Sequence, residues 1–183
     1  MMKSFLQGVL WCCVFVSMPL LFAQNKQWES MYSYYSTSTA VVSNQNIIVA
    51  AENALFIYDT SQDTSEKITT VDGLSGDTIS ALAVSESFII VGHENGVMAQ
   101  INLQTKEVFL DNSIARNQNL AADKKKIYHI EIANNTAYVA MGFGVLALNP
   151  TTLEFGDTYY FGSVGARVGV FYATVFDGKI YAG

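Results

Sequence analysis

The chain has 183 residues, of which 50% are apolar and 14% are charged, so it can build a packed core and is not an intrinsically disordered segment. Its formal net charge is −6, and an acidic surface does not attract nucleic acid, which is therefore excluded as an expected partner. Aromatic residues reach 13% and prolines number only 2, a composition that favours β-strands.

The first element is an export signal. Lys3 is the only charged residue before an apolar run over Phe5–Phe22, and a small residue follows the run. This pattern predicts a signal peptide over residues 1–23 and an exported protein. An uncleaved membrane anchor is the alternative, because the run approaches spanning length. Cys12 and Cys13 both lie in this segment, so the rest of the chain is expected to form no disulfide and to contain no cysteine nucleophile.

A tyrosine-rich run, Tyr32–Tyr35, follows the signal. We expect it to form a strand that packs into a sheet and helps to close a ring of sheets, since a closed ring has no unprotected edge. The alternative is an exposed stripe that binds a glycan or a protein.

Three segments then repeat one design, in which a short apolar strand, a tight turn carrying Asn or Gly, and a second apolar strand follow one another. They begin at Val49, Val91 and Val139, and a fourth begins at Tyr181. Glu94–Gly96 is a strong hairpin signal, because Asn and Gly tolerate positive φ. The units recur at roughly 40–50 residues, the period of β-propeller blades.

This repeat predicts an all-β fold, a partial β-propeller with three blades and the start of a fourth over residues 24–183. A β-sandwich is the alternative, but its strands form no repeated unit. Closed propellers need roughly four to eight blades, so we expect the chain to be a truncated, N-terminal fragment of a propeller domain. The segment Ile114–Lys126 is predicted to be a loop with about one helical turn.

No catalytic or metal-binding constellation is predicted, and the protein is expected to be neither an enzyme nor dependent on a cofactor. His93, in a turn, and His129, on a strand, are expected to be packing residues, because no nucleophile motif accompanies them and two isolated histidines make a poor zinc site. Asp59–Glu66 alternates oxygen ligands as calcium loops do, but it lacks the glycine at the sixth position and is predicted to be a polar turn.

Three further carboxylates and one run of lysines are also predicted to form no functional site. Asp111, Glu131 and Glu154 show no pairing suited to glycoside hydrolysis, unless the fold brings them together. A polysaccharide-active propeller enzyme with carboxylates in further blades is a third, less favoured function. Lys124–Lys126 is the one basic run and is predicted to be a solvated loop.

One segment, Asp72–Leu82, carries Gly-Leu-Ser, a polar gap and then Ile-x-x-Leu, and a strand ending at Gly92 follows it. In this pattern the segment resembles the repeat of two-component-regulator propellers, although the strand lacks the tryptophan common in that repeat. The resemblance implies a periplasmic ligand-sensing propeller of a hybrid two-component regulator. Such a protein would continue into more blades, a spanning helix and a kinase.

A wider set of elements lies in a characteristic order along the chain. They are Trp28, Tyr32–Tyr35, Ala54–Asp59, Asp72–Ser75, Val91–Gly96, Ala137–Ala140, Phe143–Val145 and Thr158–Gly162. In this order they resemble the N-terminal propeller of the PorZ family, surface components of the type IX secretion system.

The PorZ-family resemblance implies a protein with two propellers and a C-terminal sorting domain on the outer face of the outer membrane. It implies the sortase PorU, the β-barrel PorV and PorQ as partners. It also implies a role in supplying the anionic lipopolysaccharide that the sortase attaches to secreted cargo. The resemblance carries over no ligand-binding residue, so the ligand site is unknown from the sequence.

Overall fold

The computed structural model describes residues 36–163 and 167–183. The predicted signal peptide over residues 1–23, Trp28 and the tyrosine run Tyr32–Tyr35 lie outside the described residues. The strands are β1 Thr37–Ser43, β2 Asn46–Ala51, β3 Ala54–Asp59, β4 Thr64–Ile68, β5 Ile79–Val84, β6 Phe88–His93, β7 Met98–Asn102, β8 Val108–Asp111, β9 Ile127–Ala133, β10 Thr136–Met141, β11 Gly144–Leu148, β12 Phe155–Tyr159, β13 Ala173–Phe176 and β14 Lys179–Ala182. Within these residues the helical turns are the α-helix α1, Ser113–Arg116, and two 3₁₀ turns, Thr70–Asp72 and Ala122–Lys124.

The strands form three four-stranded antiparallel sheets and a two-stranded one. Each sheet is a meander in chain order: β1 to β4 form blade 1, β5 to β8 form blade 2, and β9 to β12 form blade 3. The pair β13–β14 begins a fourth blade. The all-β prediction of a partial propeller with three blades and the start of a fourth is therefore confirmed.

The repeated sequence unit corresponds to the second and third strands of each blade. Ala51 pairs with Ala54 across the first turn, and Met141 pairs with Gly144 across the third. In the middle unit Gly96 has φ +87°, and the side-chain oxygen of Asn95 accepts a hydrogen bond from the Val97 amide at 2.9 Å. Positive φ is where glycine is favoured, so the predicted hairpin forms for the expected reason.

One predicted turn is shorter in the structure. The turn expected over Asp59–Glu66 spans only the residues between β3 and β4, and β4 begins at Thr64. One oxygen of the Asp59 carboxylate accepts hydrogen bonds from the amides of Ser61, at 2.8 Å, and Gln62, at 3.1 Å, which closes the turn early. The first four β4 side chains are exposed and polar. For this reason the sequence of this outermost strand resembles that of a turn.

The core lies between neighbouring blades. On β6, Ile89 and Val91 belong to a buried cluster shared with blade 1, whereas Ile90 between them belongs to a cluster shared with blade 3. All three are fully buried, which is typical of a continuous apolar run covered on both faces. The first strands β1, β5, β9 and β13 lie beside one another, and the Ile79 amide donates a 2.6 Å hydrogen bond to the Glu52 carbonyl oxygen.

The loop Ile114–Lys126 contains two short helical turns instead of one, the end of α1 and the Ala122–Lys124 turn. Among the helices of residues 36–163 and 167–183, none is long and apolar enough to cross a membrane.

Candidate functional site

His93 is the last residue of β6 and is completely buried, one position before the turn in which the sequence placed it. Its Nδ1 lies 2.9 Å from the carbonyl oxygen of Asp77, so Nδ1 carries the proton and donates it. Nε2 is buried without a hydrogen-bond partner among the described residues. Burial lowers the pKa of His93 below its ordinary value of 6.5. Among the described residues, no serine or carboxylate side chain hydrogen bonds to this ring, and its contact with the Asp77 carbonyl oxygen fits a loop-anchoring role.

His129 lies on β9 as predicted and packs against the start of the fourth blade. Its ring stacks at a tilt on that of Tyr172, with ring centroids 4.0 Å apart. Its Nδ1 is buried without a hydrogen-bond partner in the described part of the chain, and burial lowers its pKa. His129 and His93 belong to different blades and different contacts, so the structure does not bring them together.

The Asp59–Glu66 segment shows contacts of a polar turn. The Ser61 hydroxyl donates to the Asp59 carboxylate at 2.6 Å, and the Tyr58 hydroxyl donates to Asp63 at 2.8 Å. The Ser61 hydroxyl and amide lower the pKa of Asp59 below its ordinary value. Glu66 forms an ion pair with Lys106 at 2.8 Å. Within the described ranges, no group of three His, Cys, Asp or Glu residues is placed to hold a metal ion.

Asp111, Glu131 and Glu154, which only the fold could bring together, each have a different hydrogen-bond partner. Asp111 accepts from the Ser113 amide at 2.9 Å, and the Thr174 hydroxyl donates to Glu131 at 3.5 Å. The Thr152 hydroxyl donates to Glu154 at 3.1 Å.

The basic run Lys124–Lys126 is engaged locally. The Lys125 ammonium donates to the Ala115 carbonyl oxygen at 2.6 Å, which pins the loop to α1. Lys126 forms an ion pair with Glu94 at 2.5 Å. Both bonds hold the long connection between blades 2 and 3 in place.

One cavity lies beside this connection and is called the inter-blade groove. It has a volume of about 500 Å³, within the range of small-molecule pockets. It is lined by Ser113, Ile114, Asn117, Asn119, Leu120, Phe143, Leu146, Phe155, Gly156, Thr158, Tyr160 and Arg167. The Arg167 guanidinium lies 5.5 Å from the centre of the half-exposed Tyr160 ring. Arg167 is the one charged residue of this lining, in a chain of net charge −6.

A second cavity of about 440 Å³ lies on the opposite face of β12 and is called the outer groove. Its lining includes the carboxylates of Glu154 and Asp157 together with Tyr138 and Tyr159. Phe155 and Gly156 border both cavities, so the outermost strand of blade 3 separates a groove with a cation from a groove with two anions.

Sequence reasoning did not single out these two grooves. Asn117 lies in the connection before blade 3 and Arg167 in the connection after it. Only the stacking of blades brings them to one cavity. Thr158–Gly162 contributes to the family resemblance, and nothing in its composition indicates a groove wall.

The N-terminal β-propeller domain of PorZ, from the type IX secretion system, is the family whose model matches, over residues 47–182. A solved structure of PorZ from Porphyromonas gingivalis, described as an essential bacterial surface component of that system, superposes with a TM-score of 0.71 at 19% identity. The match covers 85% of this chain and 20% of the PorZ chain, so the chain spans about one fifth of that relative's length.

Two further solved structures share the fold. The extracellular domain of a putative hybrid two-component system, BT4673 from B. thetaiotaomicron, has a TM-score of 0.60 at 17% identity, covering 85% of this chain and 21% of that one. The computationally designed protein Ika4 has a TM-score of 0.64 at 12% identity, covering 84% of this chain and 89% of that one. No curated protein sequence matches the chain.

Proposed function

The chain belongs to the family of PorZ N-terminal β-propeller domains, and on that premise we propose that it is part of a non-catalytic surface component of a type IX secretion system. The observation that carries the proposal is the family match over residues 47–182, which covers most of the chain. The predicted signal peptide over residues 1–23 supports export, the first step towards a surface location.

The architecture suits a scaffold. Three blades are held by buried clusters between neighbouring sheets, and the connections between blades are fixed by side-chain bonds such as that of Lys125 to Ala115. Such a frame holds loops and strand edges in fixed positions for partner proteins. The histidines and carboxylates considered from the sequence have separate partners, which supports a binding role over an enzymatic one.

The finer proposal concerns place and partners. We infer a position on the outer face of the outer membrane, contact with PorU, PorV and PorQ, and assistance in delivering anionic lipopolysaccharide to the sortase. Its support is the family resemblance and the family membership. A positively charged cavity such as the inter-blade groove, with Arg167, is compatible with an anionic partner.

A periplasmic ligand-sensing propeller of a hybrid two-component regulator is the second candidate. The observation that favours it is the Gly-Leu-Ser segment within Asp72–Leu82, together with the shared fold of the BT4673 extracellular domain. If this chain is part of such a regulator, its propeller would respond to a periplasmic ligand and control transcription, and it would not associate with a sortase.

Affinity purification from the organism that encodes the chain separates the two candidates. The intact protein is tagged, cross-linked in living cells and purified, and its partners are identified by mass spectrometry. The secretion proposal expects PorU, PorV and PorQ to be enriched over an equally abundant, unrelated outer-membrane protein. Recovery of a kinase domain on the same polypeptide, without those three proteins, would reject it.

The lipopolysaccharide step needs its own measurement. The purified intact protein is titrated with anionic lipopolysaccharide and with a neutral lipopolysaccharide from a mutant that lacks the acidic sugar groups. Saturable binding of the anionic form alone supports the delivery role. Equal binding of both forms, or of neither, removes that step while leaving the association with the secretion system to the purification experiment.

A further inference from the structure

The inter-blade groove lies where three loops of the propeller meet. One wall comes from the connection after blade 2, over Ser113–Leu120. The β10–β11 turn contributes Phe143, and the connection after blade 3 contributes Tyr160 and Arg167. Loops that a packed scaffold holds in place are where binding residues are concentrated. The groove therefore has the setting of a ligand site.

The groove faces blade 2 and lies away from the side of blade 3 on which β13 packs. Ile114, Phe143 and Leu146 line it, and all three belong to the buried cluster that blades 2 and 3 share. Val145, which precedes Leu146 on β11, belongs instead to the cluster that contains Ala173 of β13. Successive strand residues point to opposite faces of a sheet. The groove therefore opens on the face of blade 3 opposite to the fourth blade.

The floor of the groove is apolar. The side chains of Ile114, Phe143 and Leu146 are each no more than 7% exposed. Leu120 packs against the same cluster, and the partly exposed ring of Phe155 forms a further wall. Such a floor cannot hydrogen bond to a hydroxyl group, and burying an unpaired hydroxyl costs free energy. The part of a ligand that enters the groove should therefore be apolar, which disfavours a sugar ring.

The rim of the groove is polar and carries a positive charge. Arg167 is the one charged residue of the lining, and no ion pair joins it to a carboxylate among residues 36–163 and 167–183. Its guanidinium lies 5.5 Å from the centre of the Tyr160 ring. The side-chain oxygen of Asn117 accepts a 2.9 Å hydrogen bond from the Asn119 amide, so the amide group of Asn117 is held at the rim as a donor.

The carboxylates nearest in sequence to the lining do not occupy the groove. Asp111 accepts hydrogen bonds from the amide and the hydroxyl of Ser113, at 2.9 and 3.0 Å. Asp157 on β12 lines the outer groove, on the other face of blade 3. The charge of Arg167 is thus available to a negatively charged group of a ligand.

An apolar floor below a cationic rim specifies an amphipathic acid. We infer that the inter-blade groove binds a small organic acid, whose single carboxylate meets Arg167 and whose apolar body covers Ile114, Phe143 and Leu146. A cavity of about 500 Å³ can enclose such a molecule. The site goes beyond the secretion proposal and does not depend on it, so its failure leaves the purification experiment untouched.

The test uses the intact protein and the probe 4-(4-fluorophenyl)butanoate, whose binding is followed by fluorine NMR in about 0.15 M salt. The expected result is saturable binding with a Kd of about 0.1–1 mM, an ordinary affinity for a ligand of this size. The amide of the same acid keeps the shape and lacks the charge. It should bind about threefold to fivefold more weakly, the effect of losing one exposed ion pair. Equal affinities for the acid and the amide would overturn the inference.

Two exposed residues of the lining test the site without altering the core. Arg167→Gln should weaken binding of the acid about threefold to fivefold and leave binding of the amide unchanged. Asn119→Asp adds a carboxylate to the lining and should also weaken the acid alone. Arg116→Gln and Gln118→Glu are the matched controls, because they make the same charge changes at exposed positions outside the lining. Weakening of the acid by the controls as much as by the lining variants would contradict the site.

Two competitors test the chemical class of the occupant. Glucuronate carries a carboxylate on a hydroxylated ring, and the peptide Gly-Ser-Gly-Ser-Leu-Phe ends in an apolar residue with a free carboxylate. Unlabelled 4-phenylbutanoate should displace the probe at a lower concentration than either competitor. Stronger displacement by glucuronate would assign the groove to a sugar acid, and stronger displacement by the peptide would assign it to a chain terminus. Either result, or no saturable binding of the probe up to about 10 mM, would overturn the inference.

Discussion

The side-chain hydroxyl of Ser80 on β5 donates a 2.7 Å hydrogen bond to the carbonyl oxygen of Ile127 on β9, 47 residues further along the chain. The bond ties the first strand of blade 2 to the first strand of blade 3. Ile127 lies where the pairing of β9 with β10 shifts register, so its carbonyl is at an irregular point of the ladder. One serine hydroxyl therefore connects two blades at a place where the sheet itself is interrupted.

Replacing this serine tests the connection. Ser80→Ala removes the donor and leaves the Ile127 carbonyl without it, which should destabilise the intact protein by about 1–3 kcal/mol. Hydrogen exchange should increase first in the peptide covering β9, as measured by mass spectrometry. Ser87→Ala, an exposed serine before β6, serves as the control and should leave exchange in β9 unchanged. Unaltered exchange in β9 of the Ser80 variant would show that the bond is dispensable.

Close packing between blades 2 and 3 makes a second prediction. A Cβ at Gly92 would overlap the side chain of Ile127, which is itself fully buried. Gly92→Ala should therefore cost about 1–3 kcal/mol, the usual penalty of overpacking. Chemical denaturation of the intact protein measures it. At Gly76 an added Cβ would meet Thr70 at an ordinary 3.8 Å, so Gly76→Ala should change stability by less than about 0.5 kcal/mol.

A glutamine fixes the turn that leads into β12. The side-chain amide of Gln100 on β7 donates to the carbonyl oxygens of Pro150 and Thr151, at 2.6 and 2.7 Å. Gln100→Ala removes both hydrogen bonds and should lower the free energy of unfolding by about 1–2 kcal/mol. Gln100→Glu should cost more, because a carboxylate would face two carbonyl oxygens. Thermal unfolding compares both with Gln104→Ala, an exposed glutamine whose loss should be neutral; equal melting temperatures for the two Gln100 variants would contradict the donor geometry.

Because His93 is buried, we predict that the protein becomes less stable as the pH is lowered. Burial keeps its folded-state pKa below 6.5, so the unfolded chain binds a proton that the folded protein does not. The contribution of His93 to the free energy of unfolding should therefore be fully present above pH 6.5. It should decrease as the pH falls towards the lowered pKa. His129, whose pKa burial also lowers, contributes in the same direction.

His93→Asn keeps a donor towards Asp77 and removes this titration, so the variant should lose less stability than the parent between pH 6.5 and 5. Denaturant titrations at several pH values give the comparison. The His93 ring signals in NMR provide a second reading that needs no variant, and the midpoint of their titration in the folded protein should lie below pH 6.5. A ring that titrates near 6.5 in the folded protein would refute the assignment.

How far the sequence predicts this molecule depends on which strands are considered. Hairpins such as that at Glu94–Gly96 can be predicted from the sequence, because their turns need Asn or Gly and their strands are apolar on both faces. The outermost strand β4 cannot be predicted in this way, because it has a neighbouring strand on one edge only and its Thr64–Lys67 side chains are exposed to solvent. Fold class is thus set by the inner strands, which carry the repeat.

The grooves beside β12 could not be predicted for a different reason. The inter-blade groove joins the connection before blade 3, at Asn117, to the connection after it, at Arg167, and to Phe155 between them. No spacing in the sequence records that these residues meet. Their meeting follows from the way one blade stacks on the next, which the repeat implies only in outline.

Deletion of the gene in the organism that encodes it, followed by the location of type IX cargo, tests the central claim most directly. Cargo carrying the system's C-terminal sorting signal is quantified at the cell surface and in the periplasm, with the intact gene restored as the control. The account predicts loss of cargo from the surface, its accumulation in the periplasm, and recovery on complementation. Normal surface display of cargo, with altered transcription as the only effect, would contradict the account and favour the sensor.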